Sequence, residues 1–224
     1  MIRNARNTSS TPVAIVTGGS RSIGRAVART LASGDYAVVI NYLNSQAAAD
    51  AAVEEILAAN GTAVAVRAET ADELDVERLF GETIAAFGGV DIVVHAAARM
   101  ILGTVAGCDL QTFDALQRVN ARGTFVVNRQ ASFQLRDGGA IVNFSSCALG
   151  PVLPSHAAYP ASKGAVEAIT PVLARELSAR HITVNAIALG LERPATPADI
   201  ANLVAFLVSE DGHWVNGQVI QASG

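Results

Sequence analysis

Cysteine is nearly absent from this chain: Cys108 and Cys147 are the only two in 224 residues. Two thiols so far apart cannot frame a disulfide scaffold or a zinc cluster, so no metal is expected and a reducing cytoplasm is the natural setting. Long apolar runs are missing too. Half the residues are hydrophobic, yet none form the uninterrupted stretch of about 18 that a membrane span needs, and a soluble protein is expected. Excess positive charge is a third absence. The formal net charge is −4 and the basic residues are scattered, which excludes the footprint of a nucleic-acid binder. The first eleven residues are polar, with Arg3 and Arg6 but no apolar core. They read as a flexible tail over 1–11, not a secretory signal. No low-complexity linker follows, so 12–224 is expected to fold as one domain.

From Val13 onward, short β-branched runs alternate with longer Ala-rich amphipathic stretches. That rhythm predicts a doubly wound, Rossmann-type α/β domain, with a parallel sheet of about seven strands flanked by helices on both faces. Strands are expected at 13–17, 36–41, 62–67, 90–95, 140–144, 182–187 and 219–221. The first helix, 23–33, should stop at Gly34 in a left-handed conformation. Ser45 should cap a helix over 46–59, and Thr70-Ala71-Asp72-Glu73 reads as a capping box for the helix that reaches Phe87. One long helix is expected over 110–133 and another over 156–179. Thr196-Pro197-Ala198-Asp199 is a strong start for the last helix.

Between the first strand and first helix stands Thr17-Gly18-Gly19-Ser20-Arg21-Ser22-Ile23-Gly24. Glycines allow close approach to a pyrophosphate, and the N–H groups opening a helix supply donors and a favourable dipole. In this strand-turn-helix context, Gly18, Ser20, Arg21, Ser22, Ile23 and Gly24 are expected to hold a dinucleotide. An NAD site usually carries an acid near the end of the second strand. No Asp or Glu occurs from Ala37 to Gln46; Asn41, Tyr42 and Ser45 stand there instead. Arg21 could pair with a 2′-phosphate, so NADP(H) is favoured over NAD(H), with dual use the alternative.

Tyr159 and Lys163 lie four residues apart and would share one helix face. A lysine beside a phenol favours the phenolate and would lower its pKa from about 10 towards working pH, suiting it to proton transfer. Ser146 follows a buried strand immediately, at the sheet end where ligands bind. A solvated Tyr and Lys on a surface helix is the plain alternative for the pair taken alone.

Together these segments resemble the short-chain dehydrogenases/reductases, from Val13 to the end of the chain, in particular 3-oxoacyl reductase-like members. The glycine turn resembles the family's Thr-Gly-x-x-x-Gly-x-Gly. Asn120, in Val119-Asn120-Ala121-Arg122-Gly123, resembles its asparagine, and Ser146, Tyr159 and Lys163 complete the tetrad. Val184-Asn185-Ala186-Ile187-Ala188 and Trp214-Val215-Asn216-Gly217-Gln218-Val219 are further matches. The resemblance implies hydride transfer between nicotinamide and a carbonyl or secondary alcohol. Tyr159 would act as general acid or base, Ser146 would bind the carbonyl oxygen, and Lys163 would hold the ribose while lowering the Tyr159 pKa. Asn120 would hold a water leading from Lys163 to solvent. It also implies a homodimer or homotetramer built through the two long helices, with no nucleic-acid or membrane partner. A catalytically silent dinucleotide-binding scaffold of the same fold is the alternative. Ser145 is the nearest rival to Ser146.

The chain departs from the family pattern in several places. Ser22 replaces the middle glycine. His95-Ala96-Ala97-Ala98 stands for Asn-Asn-Ala-Gly, leaving Ala96 and Ala97 beside the cofactor and His95 as a strand-end packing residue. Glu69 stands where an Asp often contacts adenine. Cys147 adjoins the serine and reads as a small buried hydrophobe. After Ala188 the family continues through a substrate lid of about two dozen residues, whereas Ala188-Leu189-Gly190-Leu191-Glu192-Arg193 leads here almost directly to the last major helix. Either the lid is deleted near 188–191, leaving an open site, or a segment is omitted and the numbering closes over it. Resumption in register favours the second. Intact mass spectrometry decides: a mass near 23.1 kDa means deletion, and a surplus of some two dozen residues means omission.

Overall fold

In the computed structural model, which describes residues 11–146, 157–190 and 195–223, a seven-stranded sheet runs in the order β3-β2-β1-β4-β5-β6-β7. Every neighbouring pair is parallel. The strands are β1 (Val13–Thr17), β2 (Ala37–Tyr42), β3 (Thr62–Arg67), β4 (Val90–His95), β5 (Leu135–Ser146), β6 (Thr183–Leu189) and β7 (Val219–Ala222). β1 and β2 are buried throughout, as expected of strands covered on both faces. One face packs against α1 (Ser22–Ser33), α2 (Gln46–Ala58) and α7 (Pro197–Val208), through Val27, Leu31, Ile56, Val204 and Leu207. The other packs against α3 (Glu73–Phe87), α5 (Gly123–Gln134) and α6 (Ala158–Glu176), through Leu79, Phe80, Val127 and Leu173. The chain reverses its winding between β1 and β4. That crevice, at the carboxyl ends of the strands, is where a doubly wound sheet binds ligands.

Local chemistry explains most boundaries. Ser45 accepts from the N–H of Ala48 at 3.3 Å and caps α2. Thr196 and Asp199 form a reciprocal capping box at α7. Three expectations need correction. Gly34 does not end α1 in a left-handed conformation; its φ is −97°, and Asp35 takes the positive φ instead. Thr70 does not cap α3; Asp72 does, accepting from the N–H of Asp75 at 3.0 Å. The helix expected over 110–133 is broken into α4 (Leu110–Leu116), a π-helical turn (Gln117–Arg122) and α5. Such π turns cluster at functional sites, and this one contains Asn120. Strand β5 is longer than expected, reaching back to Leu135 with a register shift against β4. The expectations for the tail, for Cys147 and for the link after Gly190 fall largely on 1–10, 147–156 and 191–194, outside the described residues.

Ser22, in place of the family glycine, opens α1 with φ +47°. An L-residue in that region bears a steric cost of about 1–2 kcal/mol. Ser22→Gly should therefore raise stability by roughly 1 kcal/mol in urea unfolding, and Ser22→Val should lower it, because a β-branched side chain tolerates positive φ worst.

Candidate functional site

The glycine turn after β1 packs tightly against the chain leaving β4. Gly18 has φ +63°, and a Cβ there would lie 3.0 Å from the backbone of Ala97. Thr17, buried at the end of β1, accepts from the N–H of Ala97 at 3.1 Å and pairs with Nδ1 of His95 at 2.8 Å. The start of α1 suits an anion. Arg21 at the N-cap makes no side-chain capping bond and the first turn holds no acid, so the N–H groups of Ser22, Ile23 and Gly24 have no intrahelical partner. Ser20 is buried beside them and Arg21 is exposed. This donor set fits a pyrophosphate.

At the end of β2 the structure separates the expected contacts. Asn41 is buried, and its amide donates to the carbonyls of Tyr42, Val66 and Ala68. Its side chain holds β2 to β3 and is not presented to a cofactor, contrary to expectation. The Tyr42 ring belongs to the core. Ser45 remains exposed at the opening of α2. Arg67, which sequence reasoning passed over, ends β3 and donates from Nε to the carbonyl of Leu43 at 3.0 Å. Only the pairing of β2 with β3 brings this cation to the 43–45 turn. Glu69 is held by Arg118, 3.1 Å away, and its own N–H donates to Asp75.

Beyond β4, the buried side chain of Asn120 gathers three segments. Its Oδ1 accepts from the N–H of Arg99 at 2.9 Å, and its Nδ2 donates to the carbonyl of Arg99 at 2.8 Å and to Oγ of Ser162 at 2.9 Å. Ser162 donates in turn to the carbonyl of Tyr159 at 2.7 Å. Its side-chain amide is thus engaged by protein groups. Ser162 was not anticipated; its place between Tyr159 and Lys163 was the available signal.

Tyr159 and Lys163 lie buried on one face of α6, not on a solvated surface. Ser146 shares a hydrogen bond with the Tyr159 phenol. Ser145, the rival, donates to Glu167 Oε1 at 2.7 Å, one turn beyond Lys163 on α6. Lys163 donates from Nζ to the carbonyl of Phe144 at 2.8 Å and stands 6.0 Å from the centre of the Tyr159 ring. This geometry corrects the expected lowering of the phenol pKa. Burial raises it, opposed by the Ser146 hydrogen bond, so Tyr159 keeps its proton at neutral pH. Burial lowers Lys163 to about 8.

His95 is fully buried. Its pKa falls from 6.5 to about 3, first through desolvation and then through the nearby Lys163 charge. Its Nε2, and both amide atoms of Asn143, its partner across the β4–β5 ladder, have no protein hydrogen-bond partner among the described residues. It is a neutral packing residue, as its strand-end position suggested. Among the described residues no cluster of three or more metal-ligating side chains occurs, and no helix is long and apolar enough to cross a membrane.

The sequence model for short chain dehydrogenases matches residues 12–201. An uncharacterised oxidoreductase from Methylorubrum extorquens is 37% identical across 95% of this chain and 96% of its own. A probable tetrahydroxynaphthalene reductase from Zymoseptoria tritici is 34% identical, covering 95% and 93%. A short chain dehydrogenase from Burkholderia cenocepacia, solved in complex with NADP, superposes with a TM-score of 0.90 at 33% identity, covering 97% of this chain and 98% of that one. The Methylorubrum alignment spans 238 positions. Since 95% of 224 residues is roughly 213, about 25 of those positions have no counterpart here.

Protonating His95 favours the unfolded chain, where its pKa is ordinary. Stability is therefore full above pH 6.5 and falls as pH drops from 6.5 towards 3, by about 2 kcal/mol at pH 5 from this residue. His95→Asn should flatten that slope in urea unfolding at pH 7 and 5. An unchanged slope would mean that His95 does not drive it.

Proposed function

This chain belongs to the short-chain dehydrogenase family, and from that premise we propose that it is an NADP(H)-dependent oxidoreductase acting on a carbonyl or secondary alcohol, with Tyr159 as its general acid and base. The observation that carries the reading is the buried constellation at the carboxyl edge of the sheet. A phenol that keeps its proton, a serine hydroxyl bonded to it and a buried lysine stand together there, across the crevice from an uncapped helix start. A binding-only scaffold has no physical need to bury these groups together.

NADP(H) would supply the hydride at the carbonyl carbon when bound. Tyr159 transfers its proton to the carbonyl oxygen, and Ser146 hydrogen-bonds that oxygen and the phenol, fixing the geometry of the transfer. Lys163 would hold the ribose hydroxyls and offer the phenolate a compensating positive charge. Asn120 positions these groups through Arg99 and Ser162. The preference for NADP(H) rests on the absence of an acid from Ala37 to Gln46 and on two guanidiniums. Arg21 stands at the α1 start, and Arg67 sits beside the Ser45 turn, where a 2′-phosphate would lie. The relative solved with NADP and the relative named a reductase point the same way.

We also read the protein as a cytoplasmic homodimer or homotetramer. Phe125 and Phe133 on α5 and Val172 on α6 are exposed large hydrophobics, of the kind that helix-to-helix association covers.

NADPH oxidation against a panel of ketones and diketones is the test. Tyr159→Phe should abolish turnover while leaving NADPH binding, followed by fluorescence titration, intact. KM for NADPH should lie below that for NADH. A fully active Tyr159→Phe enzyme would remove the assignment, and a wild-type protein that binds NADPH but reduces nothing would favour the silent scaffold.

A further inference from the structure

Ser145 takes no part in the proposed proton transfer, yet its hydroxyl is buried and bonded beside the reacting groups. The last residues of β5 each meet α6. The carbonyl of Phe144 accepts from Lys163 Nζ at 2.8 Å, Ser145 Oγ donates to Glu167 Oε1 at 2.7 Å, and Ser146 is bonded to the Tyr159 phenol. Residues 159, 163 and 167 follow one another at four-residue intervals and so form a single stripe along the helix. The strand end and the helix face are fastened at successive turns.

The ties differ in kind. Ser146 and Tyr159 are the proposed reacting pair. Lys163 reaches Phe144 on a long, flexible stem, and its ammonium has further donors for a ribose. The tie between Ser145 and Glu167 alone uses no group of the proposed chemistry. A hydroxyl donating to a carboxylate makes a shorter and stronger bond than one between neutral groups. Among the described residues Glu167 forms no ion pair, so a hydroxyl and not a cation engages it. The offset between strand and helix matters because Ser146 and Tyr159 stand on different elements, and reacting groups must be held within about 0.5 Å of the productive geometry.

We propose that Ser145 and Glu167 are positioning residues: the bond between them holds α6 against the end of β5 at the offset that brings the Tyr159 phenol to Ser146. The inference rests on Tyr159 being the proton donor and Ser146 its partner. Neither Ser145 nor Glu167 is required to touch substrate or cofactor. Both act through the strand and the helix that carry the reacting pair.

Two readouts on the full chain test this. In NADPH oxidation with butanedione, Ser145→Ala should lower kcat about tenfold while KM for NADPH holds, because a small displacement at the reacting centre costs rate and spares cofactor affinity. Glu167→Leu should match it, and the double variant should be no worse than either. Glu167→Gln keeps an acceptor oxygen and should recover most of the rate. Thr170→Val removes another buried hydroxyl of α6, one that donates to the carbonyl of Val166; it should lower the melting temperature and leave kcat alone. The second readout needs no substrate. The Ser146 hydrogen bond opposes the upward push of burial on the Tyr159 pKa, so a phenol parted from Ser146 should titrate higher. Phenolate absorbance, with the signal of the Tyr159→Phe protein subtracted, should appear at higher pH in Ser145→Ala than in the wild-type protein.

An unchanged kcat and phenol titration in Ser145→Ala, with Tyr159→Phe inactive, overturns the positioning role and leaves the catalytic reading standing. Glu167→Gln as impaired as Glu167→Leu overturns the hydrogen bond as the cause. An active Tyr159→Phe overturns the reading on which the proposal rests. If the wild-type protein does not reduce butanedione, the phenolate comparison alone decides, and an unshifted titration overturns the proposal.

Discussion

The side-chain amide of Asn120 joins three parts of the chain that lie far apart in sequence. Fully buried in the π turn, it holds the backbone of Arg99 on one side and Ser162 on the other, and Ser162 passes the constraint to the carbonyl of Tyr159. The chain leaving β4, the broken α4–α5 helix and the start of α6 are thereby set in one relation. The amide sits within the break in the helix. A continuous α-helix would not need the wide turn at Gln117–Arg122, and a buried amide with its partners removed would cost about 1–3 kcal/mol for each group left unsatisfied.

Burial is the second constraint, and it acts differently on each titrating group. It holds the proton on Tyr159, weakens that on Lys163 and keeps His95 neutral. The ammonium of Lys163 is bound to the carbonyl of Phe144, 6.0 Å from the centre of the Tyr159 ring. The groups proposed to be catalytic are thus arranged in a low-dielectric setting where a charge arriving with a ligand has a large effect. The same burial fixes the tight row of Thr17, His95 and Ala97, which leaves no room for a side chain at Gly18.

Much of the site was legible before any coordinates. The alternation of strand and helix implied the doubly wound sheet, the helical period placed Tyr159 and Lys163 on one face, and Ser45 and Thr196 marked their helix starts through chemistry that acts within four residues. What failed was non-local. Asn41 looked like a cofactor ligand because it ends a strand in the right place, but the carbonyls of β3 claim its amide. Arg67 was overlooked because nothing near it in sequence suggests a nucleotide; strand pairing alone carries it to the turn after β2. The lysine's effect on the phenol was inferred from spacing, whereas its ammonium answers to a carbonyl on β5.

The sequence by itself therefore determined the family, the order of its elements and the side chains proposed to react, because periodicity, capping and glycine turns are written in short windows. Only the tertiary structure decided which polar groups are free and which are spent, since hydrogen-bond partners come from strands and helices far apart in the chain. For Tyr159 and Lys163, the four-residue spacing implied a common face. Their burial, the serine at the phenol and the carbonyl at the ammonium came from packing α6 onto the end of β5.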